Sequence, residues 1–241
     1  MQQDFRADFF EIMRMIVEAD SLAFSRAADG EANVLKNNTI GNKDGWLYKK
    51  DKNLIFRADL RRSLQCIDAG FIYGISCTCC DVVNHDYLLG LLKTGREHMT
   101  FSNMWVNANF PLFKEHFFKT LRAAEKDIVI CTNEKAKIRN LEPYMPIKDF
   151  IPITGNCVIT WEKDRDYLRA LLDLYGSTRK NTIFLFAAGP LSEILIYELW
   201  LVNPRHIMLD IGSTLDPILF NRKSRDYHYG NSEFSQRLCI W

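Results

Sequence analysis

No apolar stretch in the 241-residue sequence reaches the 18 or more residues of a membrane-spanning helix, and the longest, such as Ile183 to Ala188, have the length of a strand. A dominant charge sign is also missing: 31 Lys and Arg stand against 30 Asp and Glu, a formal net charge of +1, with the two signs interspersed. The basic footprint left by nucleic-acid binding is therefore not seen. Only 12 Gly and 7 Pro occur, which excludes collagen-like and low-complexity chains. No two glycines are spaced as GxG, and GxxxxGK, GxSxG and HExxH do not occur. The standard dinucleotide fingerprint, P-loop NTPases, α/β-hydrolases and zincins thus have no support. Asp4 and Asp8 precede any sustained apolar run, unlike the basic and then apolar start of a secretory signal, so a cytoplasmic protein is expected.

Cysteine is present without a paired pattern. The seven residues Cys66, Cys77, Cys79, Cys80, Cys131, Cys157 and Cys239 are odd in number. Cys77 and Cys80 form a lone CxxC, with no second CxxC and no HxxxH to complete a tetrahedral zinc site. Reduced, ordinary buried thiols are the expectation.

Two hydrophobic periods alternate along the chain. Phe9, Ile12, Met13 and Ile16 predict a helix over Asp8 to Glu18, followed by a strand from Leu22 to Ala28 that runs into Asp29-Gly30-Glu31. Phe56, Leu60, Leu64 and Ile67 mark a second helix. A strand from Phe71 to Cys77, a short helix near Tyr87 to Lys93 and a strand from Met99 to Trp105 come next. Asn109 as N-cap and Pro111 in the first turn predict a helix from Phe110 to Glu125. Asp127 to Cys131 reads as a buried strand, and Phe150 to Ile153 as an edge strand because of Pro152. A helix over Asp166 to Tyr175 with Gly176 as C-cap, a strand over Ile183 to Ala188, a helix over Leu191 to Val202 and a strand over Ile207 to Ile211 complete the pattern. The fold class expected is α/β: one domain over 1–241 with a Rossmann-like, mainly parallel sheet and helices on both faces. From Thr214 the chain is polar and weakly periodic, either disordered or a binding segment that completes the site.

Ligands of such sheets bind beyond the carboxyl ends of the strands. That directs attention to Asp29 to Glu31, Asn103 to Asn109, Thr132 to Glu134, Gly189 to Ser192 and Gly212 to Asp216. Asp29 and Glu31 offer hard oxygen ligands for magnesium or manganese, although Asp-Gly is also a common turn. Ala187-Ala188-Gly189-Pro190 joins a strand to a helix whose free amides can receive an anion, or it is a tight turn with Gly189 serving packing. Asp210, Gly212 and Ser213 can hydrogen-bond a sugar or ribose, and Arg225 and His228 can neutralise phosphate or move a proton, unless the segment is a solvated tail. Trp105, Asn107 and Asn109 can frame an acceptor sugar or simply pack in the core. His85, His98, His116 and His206 are isolated and read as structural or surface residues.

Three segments together resemble the GT-D-type glycosyltransferases, a family first described as a domain of unknown function. Phe24-Ser25-Arg26-Ala27-Ala28-Asp29-Gly30-Glu31 is similar to a family strand ending R-F-G-D-G-E, with R-A-A-D-G-E in this chain. Phe186-Ala187-Ala188-Gly189-Pro190 is similar to its A-G-P turn, and Ile207 to Ser213 to its D-I-G strand end. The segments keep the family's order across residues 20 to 215. The resemblance implies a nucleoside-diphosphate-sugar donor, UDP-sugar favoured, a glycan acceptor and a divalent cation, Mn or Mg. It places Asp29 and Glu31 in the D-x-E positions, as metal ligands, and Arg26, Gly30, Gly189, Pro190, Asp210 and Gly212 around the donor. Departure of the diphosphate would be assisted by the cation and by the Gly189 helix terminus or Arg225, while His228, Asp216 and Glu193 are candidates for the base at the acceptor hydroxyl. Two other functions fit the same residues: a nucleotide-sugar or glycoside hydrolase, and a non-catalytic nucleotide- or glycan-binding module.

Overall fold

The computed structural model describes residues 1–43 and 45–241. Its strands are β1 (Leu22–Ala27), β2 (Ile40–Gly41), β3 (Leu47–Tyr48), β4 (Phe71–Ile75), β5 (Met99–Phe101), β6 (Ile128–Asn133), β7 (Asp149–Ile153), β8 (Ile183–Ala187) and β9 (Ile207–Asp210). Its helices are α1 (Ala7–Glu18), α2 (Asp29–Leu35), α3 (Leu54–Ser63), α4 (Thr78–Leu89), α5 (Phe110–Ala123), α6 (Cys157–Thr178), α7 (Leu191–Val202), α8 (Asp216–Leu219) and α9 (Glu233–Gln236). Seven strands form one sheet in the order β5-β4-β1-β9-β8-β6-β7, and each neighbouring pair is parallel. The short strands β2 and β3 form a separate antiparallel hairpin.

The strands alternate by side, as the two-residue period of a strand requires. In β8, Ile183 and Leu185 face a layer that includes Phe9, Ile12, Phe113 and Phe117 of α1 and α5. Phe184 and Phe186 face the other layer, with Leu60 of α3, Trp161 and Leu172 of α6 and Leu195 and Leu199 of α7. Parallel strands covered on both faces must be apolar nearly throughout, and β4 and β8 are. The expected α/β architecture with helices on both faces is the one observed.

Pro152 lies on β7, at the sheet edge, where its missing N–H costs no ladder bond. Several boundaries differ from the sequence expectation. Asp29-Gly30-Glu31 is the first turn of α2 rather than a loop. The fourth helix begins at Thr78, not near Tyr87, and is interrupted at Asp81 (φ −160°, ψ 79°). β5 ends at Phe101, short of Trp105. Helix α6 starts nine residues earlier than Asp166, with Asn156 accepting the Ile159 amide at 3.4 Å as its cap. Gly176 is therefore inside α6, and its role is packing: a Cβ there would come within 2.8 Å of Val202 Cγ1 on α7. Asn109 caps nothing with its side chain, which instead donates to the carbonyls of Phe5 (2.8 Å) and Met104 (3.1 Å).

The segment after Thr214 is ordered against the fold. Leu215, Leu219, Tyr227 and Cys239 are buried with the α1/α5 layer, and the chain continues through α8 and α9 back towards the start of α4, where the Thr78 amide donates to the Ile240 carbonyl at 3.0 Å. No helix among the described residues is long and apolar enough to cross a membrane.

Candidate active site

The carboxyl ends of β1, β9, β8 and β6 open into a cleft of about 930 Å³. Order in the sheet explains its place: the chain leaving β1 crosses to β4 on one side, while β9, β8 and β6 fill the other, which leaves a crevice between diverging connections. Arg26, Asp29, Gly30, Glu31, Gly189, Pro190, Gly212, Ser213, Asp216 and Arg225 all line it. Below them a recess of about 130 Å³ is bordered by Arg26, Glu31, Glu193 and Asp210.

The floor is held by one buried ion pair. Arg26 Nε donates to Asp210 Oδ2 at 3.0 Å across the β1–β9 junction, and Arg26 Nη1 donates to the Ser102 carbonyl at 2.9 Å, just past β5. The two side chains are 14% and 6% exposed. Burial disfavours the guanidinium charge, but Asp210 outweighs it and raises the Arg26 pKa. Asp210 Oδ1 accepts the amide of Gly212 at 2.9 Å, and its carbonyl accepts Trp105 Nε1 at 2.8 Å. Gly212 has φ +51°, and a Cβ there would lie 2.1 Å from Arg26 Nη2. Only glycine fits both the backbone and the guanidinium.

Three carboxyl groups converge on this floor besides Asp29. Glu31 accepts the Ala28 amide at 2.8 Å through Oε2, closing the first turn of α2. Burial pushes its pKa up to about 7, and Asp29 and Asp210 push in the same direction. Glu193, in the first turn of α7, is 1% exposed, and its Oε2 has no hydrogen-bond partner among the described residues. Burial raises its pKa well above the ordinary value of 4.5, with Glu31 and Asp210 adding to the effect. An excess of carboxylate oxygen with one orphaned atom suits a hard divalent cation, which would favour the ionised forms. Asp29 is exposed on the cleft side of the same turn.

The same cleft also carries basic side chains. Lys43, Lys135, Arg222 and Arg225 line it, the first three being exposed. At β8–α7 the Ala188 amide donates to Ser192 Oγ at 3.0 Å and the Ser192 amide to the Gly189 carbonyl at 2.9 Å, which fixes a tight turn with Gly189 at φ +59°. The indole of Trp46 is wedged between the two glycine turns: a Cβ on Gly30 would meet it at 3.4 Å, and one on Gly189 at 3.2 Å.

Other expected residues fall elsewhere. His228 lies behind Arg225, outside the cleft lining; its Nδ1 accepts the amides of Ser224 (3.1 Å) and Arg225 (3.3 Å), and burial pushes its pKa down to about 4. With Nδ1 so occupied and Nε2 buried without a hydrogen-bond partner among the described residues, the ring holds the turn from outside the cleft lining. Asp216 does reach the cleft, where Ser224 Oγ donates to its Oδ2. Ser213 Oγ pairs with Tyr227 OH at 2.8 Å, which ties the cleft to the C-terminal segment. Trp105 is fully buried between Phe9, Phe24 and Phe117, and Asn107 and Asn109 are buried too, so they frame no sugar. Thr132, Asn133 and Asn103 do line the cleft or the recess.

Sequence reasoning passed over the β2–β3 hairpin, which supplies Lys43 and Trp46. The available signal was a lone tryptophan in an otherwise polar stretch, next to Gly45. The expectation of ordinary buried thiols, with only a lone CxxC at Cys77 and Cys80, is also incomplete. Cys66, Cys131 and Cys157 are separate buried thiols, but the Sγ atoms of Cys77, Cys79, Cys80 and Cys239 all lie within 4.8 Å of one another, and Cys79 and Cys80 are exposed. The fourth thiol arrives from the far end of the chain, which no local spacing could reveal.

No protein-family model matches the chain, and no curated protein matches it in sequence. Solved structures do. A selenomethionine-substituted structure of domain of unknown function 1792 superposes with TM-score 0.60 at 13% identity, covering 96% of this chain and 83% of that one. A second structure of that domain, described as having a distinct glycosyltransferase fold, gives TM-score 0.59 at 14% identity, with 97% and 90% covered. A third, described as a new glycosyltransferase from Streptococcus sanguinis, gives 0.59 at 14%, with 95% and 92% covered. Similarity at this level speaks for architecture: the chain shares the α/β fold of these structures over nearly its whole length.

Proposed function

We propose that the cleft transfers a sugar from a nucleoside-diphosphate sugar, a UDP-sugar first among them, to a hydroxyl of a glycan acceptor. The observation that carries this reading is the pairing of an acidic turn, Asp29 and Glu31, with a basic rim of Lys43, Lys135, Arg222 and Arg225 in one cleft at the sheet's switch point. A diphosphate flanked by a divalent cation needs both charges. The shared fold with a structure described as a glycosyltransferase adds to it.

In this reading Asp29 and Glu31 hold the cation, magnesium or manganese, which when bound supplies Lewis-acid stabilisation of the departing diphosphate. Arg222, Arg225 and Lys135 neutralise the same leaving group, in a site whose groups are already oriented and need little reorganisation. Trp46, held between Gly30 and Gly189, offers an indole edge for the base or sugar. Arg26 pairs with Asp210, whose other oxygen holds the Gly212 amide, so it positions the floor and does not touch the reacting atoms. A reaction that inverts the anomeric carbon needs a base at the acceptor hydroxyl, and Asp216, on the cleft wall beside Ser224, takes that role.

The test is release of nucleoside diphosphate from donor sugars in the presence and absence of acceptor glycans. Turnover that requires acceptor and falls by at least about 100-fold in Asp29→Ala and Glu31→Ala supports transfer. Turnover indifferent to acceptor would make the protein a hydrolase, and donor binding with no turnover on any acceptor would make it a binding module.

A further inference from the structure

Four thiols meet beside the cleft that the sugar-transfer reading does not use. Cys77 is the residue before α4, Cys79 and Cys80 lie in its first turn, and Cys239 is near the C-terminus. Their Sγ atoms lie within 4.8 Å of one another, with Cys79 at 3.5 Å from Cys77 and 3.8 Å from Cys80. A tetrahedral ion at about 2.3 Å from each sulfur has sulfur–sulfur edges of about 3.8 Å. The cluster already has that size, and its sulfurs are too far apart to be bonded in pairs.

N–H groups surround the sulfurs, beside one carbonyl, that of Leu238, to which Cys79 Sγ donates at 3.9 Å. Asn103 Nδ2 lies 3.6 Å from both Cys77 Sγ and Cys239 Sγ, the Ile240 amide 3.4 Å from Cys79 Sγ, and Arg237 Nη1 3.8 Å from Cys80 Sγ. Every thiol thus has an N–H directed at it. A neutral thiol is a weak acceptor, whereas metal-bound thiolates gather such outer donors. The break in α4 at Asp81 separates the turn that carries three of the cysteines from the rest of the helix. The C-terminal segment is brought alongside by the Thr78 amide and hydroxyl, which both donate to the Ile240 carbonyl at 3.0 Å.

We propose that Cys77, Cys79, Cys80 and Cys239 bind one zinc ion in a closed four-thiolate site that staples the C-terminal segment to the amino end of α4. Soft sulfur ligands in tetrahedral array select zinc over the hard cation suited to Asp29 and Glu31. Four protein ligands leave no open position, so the site is structural. Binding releases the four thiol protons to solvent and leaves a net charge of −2 on the centre, part of which Arg237 offsets. Asn103, which also borders the recess beside Glu193 and Asp210, is the direct link from this site to the cleft wall. The proposal is independent of which reaction the cleft performs.

The experiment is metal analysis of the full chain, expressed with zinc in the medium, desalted and measured by elemental and native mass spectrometry. One zinc per chain is expected. Replacement by cobalt(II) should give thiolate-to-metal charge transfer and the intense red bands of a tetrahedral four-sulfur centre. In Cys239→Ser, zinc affinity should fall by more than about 100-fold, beyond what outer-shell changes cause, and the cobalt bands should shift. A chelator should lower the melting temperature of the wild type and leave that of Cys239→Ser unmoved. Metal-free wild-type protein with freely titrating thiols, a mass deficit of two hydrogens marking a disulfide, or a cobalt spectrum unchanged in both Cys239→Ser and Cys80→Ser would each overturn the proposal. Cys66→Ser, at a thiol outside the cluster, serves as the control and should retain the zinc.

Discussion

Replacing Arg26 with Met leaves Asp210 without its cation in a floor that already holds Glu31 and Glu193. The pair is nearly closed to solvent, at 14% and 6% side-chain exposure, so removing one partner strands a charge rather than trading it for hydration. Such truncations cost about 3–5 kcal/mol. In a chain of this length that corresponds to a fall in melting temperature of about 6–20 °C. The Ser102 carbonyl also loses its donor, which places the cost towards the upper end. The informative assay is a double-mutant cycle by urea unfolding, with Arg26→Met, Asp210→Asn and the pair together. Because Asn can still accept the Gly212 amide, the double variant loses the charge without losing the turn. It should be more stable than the sum of the single effects predicts, with a coupling of at least about 2 kcal/mol. Additivity within about 0.5 kcal/mol would refute the argument that this ion pair anchors the floor.

Gly212→Ala should cost at least about 2 kcal/mol, since it combines a left-handed backbone with a clash at Arg26, whereas Gly230→Ala, at φ +38° with open space around it, should cost only about 1 kcal/mol; equal losses in urea unfolding would contradict the clash. Glu193→Gln should stabilise the metal-free chain at pH 7. Burial raises the Glu193 pKa, so the folded state holds its proton longer than the unfolded one, and stability contributed by the neutral acid is present below 4.5 and lost as pH rises. The advantage of the variant should accordingly vanish as pH falls towards 4.5, and an advantage independent of pH would count against it. Lys135→Ala and Arg222→Ala, both at exposed rim positions, should leave stability within about 0.5 kcal/mol. They should weaken binding of a nucleoside diphosphate, most clearly at low salt; urea unfolding reads the first effect and titration calorimetry the second.

Much of the fold was legible because its strands are buried on both faces. Ile183 to Ala188 and Ile207 to Ile211 read as strands on apolar continuity alone, α1 as a helix on its periodicity, and α5 on Pro111 in its first turn. The errors have physical causes. Gly176 reads as a helix end in one dimension, but its lack of a side chain admits Val202 of α7. Asp29-Gly30-Glu31 reads as a turn, yet the Glu31 carboxylate accepts the Ala28 amide and closes a helical turn over it. At the site, residues at strand ends were found because topology dictates their position. Lys43, Trp46, Lys135 and Arg222 were not, since hairpin and loop residues reach the cleft only through tertiary packing. His228 had the right chemistry in the right segment, but its ring is turned to the backbone of Ser224 and Arg225. The thiol cluster was hidden for the same reason: Cys239 joins the others only when the C-terminal segment returns to α4.

The most direct test of the central reading is the shift in melting temperature on adding UDP, GDP, TDP or CMP, each with and without manganese, to the wild type and to Asp29→Ala. A ligand at 100 times its dissociation constant stabilises the native state by about 2.7 kcal/mol, which corresponds to about 5–11 °C for a chain of this size. The account predicts such a shift for one nucleoside diphosphate, UDP first, dependent on manganese and lost in Asp29→Ala. No shift for any nucleotide, or a shift of equal size without manganese and in Asp29→Ala, would contradict it.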